Sequence, residues 1–153
     1  MLKLNKKVEY ALISVIHLDS MGRSDLVTAR ELAERYNIPG EILGKVLQSL
    51  AKARIVESVQ GAKGGYRLLL PLEKVTMGDM IEAIESPVYL VSCQDDPESC
   101  GQFDACNIRN PVWRIQARLT RFIHGIPLSA LRHNTSTGGL ASEESETAEK
   151  AGV

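Results

Sequence analysis

Between Thr28 and Leu70 the chain is punctuated so closely that few folds can hold it. Thr28 can cap a short helix, and Glu31, three residues on, completes a capping box. Ala29, Leu32, Ala33 and Tyr36 supply the inner face of that helix. Asn37-Ile-Pro39-Gly40 breaks it, and Pro39 favours the start of a second helix running to about Ala53. Ile42, Leu43, Val46, Leu47 and Leu50 make the buried stripe of this second helix, while Glu41, Lys45, Gln48 and Lys52 lie outward. Ile55–Val59 and Tyr66–Leu70 then read as strands around the glycine-rich turn Gln60–Gly65. Two short helices across a tight turn, followed at once by a hairpin, predict a winged helix-turn-helix.

The flanking sequence fits around that unit. Asn5 caps a helix to about Met21 that is apolar on most sides, through Val8, Ala11, Leu12, Val15 and Ile16, and should be central. Thr76 caps a further helix with Met77, Met80, Ile81 and Ile84 inward, and Pro87 ends it. Asn110 and Pro111 open a last, long helix. Its Val112, Ile115, Leu119, Phe122 and Ile126 recur every three to four residues, a heptad-like seam that suits a dimer contact. From about Asn134 the chain is Ser, Thr, Gly, Ala and Glu with almost nothing to bury, so a disordered tail is expected. The fold class is therefore mainly α with a small β-hairpin. Residues 1–90 form the winged helix-turn-helix, 91–109 a cysteine loop, 110–132 the dimerisation helix with its end segment, and 133–153 the tail.

Charge is divided along the chain. Residues 1–75 are net basic and residues 76–153 net acidic, as in a module that meets an anion with one half only. The start lacks the apolar core and cleavage site of a secretory signal, and no apolar run reaches membrane-spanning length. A cytoplasmic protein with reduced thiols is the expectation. An enzyme is not: the sequence offers no nucleophile–base pair and no phosphate-binding motif, and His17, His124 and His133 have no ligand spacing.

For double-stranded DNA, the second helix of the motif would enter the major groove with Gly40, Glu41, Lys45 and Gln48. Glu41 can accept from cytosine and Gln48 can reach adenine. Thr28 and Arg30 would hold phosphates, and the wing would reach the backbone or minor groove through Lys63, Gly64 and Arg67. Two copies would read a near-palindrome with half-sites about one turn (~34–36 Å) apart.

All three cysteines, Cys93, Cys100 and Cys106, lie in one polar stretch with Asp95, Asp96, Glu98 and Asp104. Thiols among such neighbours are not ordinary core cysteines. A disulfide would leave one over. Structural zinc favours closer cysteine pairs than this C-x6-C-x5-C spacing. An iron–sulfur cluster suits soft thiolates, given a fourth ligand. Glu9 is the odd residue of the first helix: either an acid favoured by the helix dipole or a carboxylate held ready as a ligand.

Val8-Glu-Tyr-Ala-Leu12, Gly61-Ala-Lys-Gly-Gly-Tyr66, the three cysteines and Asn110-Pro-Val-Trp113 together resemble the iron–sulfur winged-helix regulators of bacteria, the IscR/NsrR-like family, from Met1 to about Leu131. The resemblance implies a homodimer through the last helix and an iron–sulfur cluster on three cysteines plus one non-cysteine ligand. Where some members place a histidine three residues after the last cysteine, this chain has Arg109. Where others use a carboxylate from the partner's first helix, it has Glu9, which favours Glu9 as the fourth ligand and 2Fe–2S over 4Fe–4S. His17, a loop aspartate or a small molecule are the other candidates. The implied function is a transcriptional regulator sensing redox state, nitric oxide or iron–sulfur status. A cluster-free thiol switch on DNA is the alternative, and an iron–sulfur electron carrier, which has no use for a wing, comes after it. Two departures stand out: six residues rather than five in the first cysteine gap, and Gln60 where many members carry an arginine.

Overall fold

A computed structural model describes residues 3–85 and 87–132. The tail expected at 133–153 lies outside them. Five helices and one hairpin follow in order: α1 (Lys6–Met21), α2 (Ala29–Tyr36), α3 (Gly40–Lys52), β1 (Val56–Val59), β2 (Gly65–Leu68), α4 (Met77–Ile84) and α5 (Arg109–His124). The mainly helical architecture with a winged helix-turn-helix is the one the patterning predicts.

Helix α1 is central, as its composition requires. The Asn5 side chain accepts from the Lys7 amide at 3.1 Å and caps it. Val8, Ala11, Val15 and Leu18 are buried. Buried Ser14 satisfies its hydroxyl on the Tyr10 carbonyl at 2.7 Å. Around α1 pack Leu32 of α2, Leu43, Leu47 and Leu50 of α3, and Met80 of α4, all fully buried. Each such side chain contributes roughly 1.5–3 kcal/mol through burial.

The capping box expected at Thr28–Glu31 forms, and the cap expected at Thr76 is one too, completed by Asp79. Asn37 takes the left-handed conformation (φ 51°) that ends α2, and Ile38 drops into the core. Of the stripe expected on α3, Leu43, Val46, Leu47 and Leu50 are buried, but Ile42 is 37% exposed. The four others already complete the inner face, and position 42 lies just past its edge.

The hairpin is shorter than its apolar run. Val56 pairs with Leu68, Glu57 with Arg67, Ser58 with Tyr66, and Val59 with Gly65. Val27 adds a single bridge to the outer edge of β2, exchanging hydrogen bonds with Tyr66 at 3.0 and 2.8 Å. Gly65 permits this approach: a Cβ there would stand 2.8 Å from the Val27 carbonyl oxygen.

Helix α5 begins one residue before the expected cap. Ile108 occupies the cap position without a side-chain hydrogen bond, so Asn110 and Pro111 sit inside the first turn. Pro111 lacks an N–H where helices have none to pair, so the turn accepts it. After α5 the chain returns to the body. The Met77 amide donates to the Ile126 carbonyl and the Leu128 amide to the Val75 carbonyl, both at 2.8 Å, and Leu128 is fully buried in the main core. Ile126 therefore stands past the helix, on this return segment. Arg132 closes it with a two-pronged pair to Asp19 (2.7 and 3.0 Å) and a contact to Glu73. Arg132 holds the Glu73 carboxyl below the usual carboxylate range.

Candidate nucleic-acid interface and cysteine site

Three surfaces carry the predicted site residues. The first is the outer face of α3. Gly40, Glu41, Lys45 and Gln48 are all exposed there. The helix starts at Pro39 without a side-chain cap, and the Ile42 and Leu43 amides turn back to the Pro39 carbonyl. The earlier amides of the first turn receive no cap and point at whatever meets this end. Lys45 takes no part in the ion pairs among the described residues.

Thr28 and Arg30 are more committed than their sequence positions suggested. The Thr28 hydroxyl donates to Glu31 at 2.8 Å and accepts from the Glu31 amide at 3.1 Å. A hydroxyl has one hydrogen, so a phosphate contact there requires the cap to open. The Thr28 amide and hydroxyl also keep the Glu31 carboxyl below its ordinary range. Arg30 pairs with Glu34 at 2.7 Å, but the pair is fully at the surface, and a guanidinium has donors to spare.

On the wing, Arg67 is paired directly across the strands with Glu57 at 2.7 Å. Sequence reading missed Glu57 as its partner, although two-residue alternation in the hairpin sets the two opposite each other. Lys63 at the turn is exposed and, like Lys45, outside the ion pairs among the described residues. Gly64 answers to the turn itself: a Cβ there would lie 2.1 Å from the Val59 carbonyl oxygen.

The second surface is the cysteine segment. Cys93 is 8% exposed, on a 3-10 turn (Ser92–Gln94), and Cys100 and Cys106 are half-buried. All three thiols are free, and they line one cleft of about 680 Å³ with Ile108, Arg109 and Val112. Among the described residues no three Cys, His, Asp or Glu side chains stand close enough to hold one metal ion. Zinc needs its donors at about 2.0–2.3 Å around a single point. The three thiols are soft donors, the kind that an iron–sulfur cluster takes, and the cleft supplies three of them. Arg109 is no ligand. Its guanidinium donates to the Phe103 carbonyl at 2.8 Å and stacks on the Phe103 ring at 4.5 Å, fastening the loop to the first turn of α5. Glu9 does not line this cleft; it lies half-exposed on α1, paired with Lys6.

The third surface is α5. Its one buried residue is Gln116, which sequence reading passed over. The side chain accepts from the Leu90 amide at 2.9 Å and donates to the Val88 carbonyl and to Thr120, pinning the lead into the cysteine loop. Near the end of the helix, the His124 ring lies on Gly78 of α4, with Nε2 at 3.1 Å from Glu82. Away from those contacts, Ile108, Ile115 and Phe122 are 56%, 55% and 67% exposed, and Val112 and Leu119 half-buried beside them. No helix among the described residues is long and apolar enough to cross a membrane.

A helix with an unencumbered polar face, a glycine-turned wing beside it and a projecting helix define a winged-helix DNA-binding regulator. The family described as Rrf2, iron-dependent transcriptional regulator, matches residues 4–134, and the chain belongs to it. Its members are regulators of transcription, not enzymes. The HTH-type transcriptional regulator IscR of Aliivibrio salmonicida is 30% identical over 131 residues, 85% of this chain and 77% of that one. CymR, the global cysteine regulator of B. subtilis, superposes with a TM-score of 0.63 at 25% identity, covering 86% of this chain and 96% of its own. T. potens IscR shares the fold with a TM-score of 0.64 at 22% identity, covering 90% and 94% of the two chains.

Proposed function

We propose that this regulator works as a homodimer, joined through α5, whose hold on a near-palindromic operator is set by an iron–sulfur cluster on Cys93, Cys100 and Cys106. The observation that carries the reading is the shared cleft: three free thiols, one of them buried, line one space at the root of α5. Glu9 of the second copy is the fourth ligand, and 2Fe–2S is favoured over 4Fe–4S. When bound, such a cluster supplies a redox- and nitric-oxide-reactive centre, most open at its carboxylate corner, because oxygen is the harder ligand.

The chain's own residues then do the coupling. Arg109 and Phe103 hold the loop against α5, and Gln116 holds the lead-in at Val88 and Leu90. A change in the loop is thus passed to the helix that sets the distance between two copies of α3. At typical coupling of about 1–3 kcal/mol, operator affinity changes roughly 5–150-fold. On DNA, Gly40, Glu41, Lys45 and Gln48 face the major groove, Lys63 and the unpaired donors of Arg30 meet phosphates, and Arg67 joins them on release from Glu57.

Anaerobic purification with iron and sulfide assay and absorption spectra is the test. The wild type should be coloured and iron-loaded, and a triple Cys→Ser protein colourless with a different affinity for DNA. Glu9→Ala should leave the iron bound but shorten the lifetime of the colour in air. A colourless wild type whose DNA affinity equals that of the triple-serine protein overturns the reading.

A cluster-free thiol switch has one observation in its favour: Cys100 and Cys106 are both partly accessible on the same cleft. A peroxide would join them as a disulfide, releasing two waters. Mass spectrometry of peroxide-treated protein that finds this disulfide, together with altered DNA binding in iron-free samples, selects this reading over the first.

A further inference from the structure

Most glycines of the winged-helix half are demanded by the chain itself. Gly65 admits the Val27 backbone, and Gly78 admits the His124 ring, which a Cβ would approach to 2.4 Å. Gly44 is different. It sits in the interior of α3, where glycine is the least favoured residue after proline. Its φ is not positive, and a Cβ built there meets nothing within 4 Å. Nothing in the described protein needs a glycine at this place, and the helix would be more stable without it.

The position explains the choice. On the helical repeat, Gly44 follows Gly40 by one turn and precedes Gln48 by one turn, with Glu41 three residues before it. It therefore borders the outward group that faces the major groove. We propose that Gly44 is a specificity-determining residue: its missing side chain lets α3 lie closer to the base edges than any other residue would allow. Gln48 and Glu41, on either side of the notch, then reach base edges that a bulkier neighbour would hold out of hydrogen-bond range. The inference rests on the DNA-binding reading above, and it assigns that surface a residue chosen for the partner at the protein's expense.

The test pairs a stability measurement with a binding measurement on the full chain. Duplexes are first selected by the wild-type protein from a random library, and the tightest one is the probe. Gly44→Ala should raise Tm by about 3–6 °C, since a helix-interior alanine replaces glycine without a clash. The same variant should bind the selected duplex at least about 10-fold more weakly, with affinity for unselected duplex changed by less than about 2-fold. A second selection with Gly44→Ala should return a different preferred sequence. A raised Tm with unchanged affinity and sequence preference overturns the inference, and so does a lowered Tm, which would mean the chain itself requires the glycine. If the wild type selects no duplex at all, the DNA-binding assignment of α3 fails first, and the role of Gly44 falls with it.

Discussion

Helices α3 and α5 are nearly the same length, 13 and 16 residues, and they are used in opposite ways. Helix α3 buries four large apolar side chains and turns a polar face outward. Helix α5 buries one glutamine and turns its apolar face outward. The first is held by its own chain and offers chemistry to a partner. On the reading proposed above, the second gains its place from a second copy: an exposed seam of Ile108, Ile115 and Phe122 would leave the water there. The wing half is thus a finished structure, and the α5 arm a half-finished one.

The largest effect that can test this contrast comes from the finished half. Leu47→Ala removes a fully buried side chain and should cost about 2–5 kcal/mol, read by denaturant unfolding. The matching truncation on the other helix, Phe122→Ala, should leave monomer unfolding within about 0.5 kcal/mol, because the ring is in solvent. Equal losses in the two variants would erase the distinction.

Next in size is the association itself. Ile115→Glu places a charge in the middle of the exposed seam and should weaken the dimer by roughly 2–4 kcal/mol, read by sedimentation against concentration. Far-ultraviolet circular dichroism should not change. If the variant sediments as the wild type does, the seam is not the dimer contact.

Gln116 lies between the two regimes, a polar residue serving as the buried anchor of an otherwise exposed helix. Gln116→Leu keeps the volume but strands the Val88 carbonyl and the Leu90 amide. The expected loss is about 1–3 kcal/mol. Because the anchor also pins the lead into the cysteine loop, hydrogen exchange at Leu90 should rise more than exchange within α3. Uniform exchange across both would mean that Gln116 is mere packing.

The same contrast explains what could be read from the chain alone. The capping box at Thr28, the cap at Thr76, the break at Pro39 and the presence of the hairpin follow local rules, and they were legible because each is written within a few residues. Ile42 was misplaced by a single position on the helical wheel, an error no local pattern resolves. Gln116 depends on contacts with a distant segment, while the Glu57–Arg67 pair needed the hairpin register and the Phe103 seat of Arg109 the turns of the loop, so polarity alone gave no sign of them. The cysteines were legible by type and spacing. The shared cleft required the turns at Ser92–Gln94 and Pro97–Ser99, which no periodicity announces.

Even the finished half carries one local conflict, and it gives the smallest prediction. Arg54, just past α3, adopts φ 59°, the left-handed conformation that usually falls to glycine at a helix end. The geometry is imposed from both sides: the Arg54 amide turns back to Ala51 and the Ile55 amide to Leu50, each at 3.0 Å, and Ile55 must enter the core. A Cβ in this region costs about 1–2 kcal/mol, while glycine loses about 0.4–1 kcal/mol through the freer unfolded chain. Arg54→Ala keeps the strain and removes the charge; Arg54→Gly removes both. Glycine should therefore exceed alanine in stability by about 1 kcal/mol, read as a shift in denaturant midpoint at constant slope. The difference cancels whatever the guanidinium itself contributes, so it measures the backbone alone. Equal midpoints would mean that the end of α3 relaxes to suit its residue, and that the winged half is less firmly built than its packing against α1 implies.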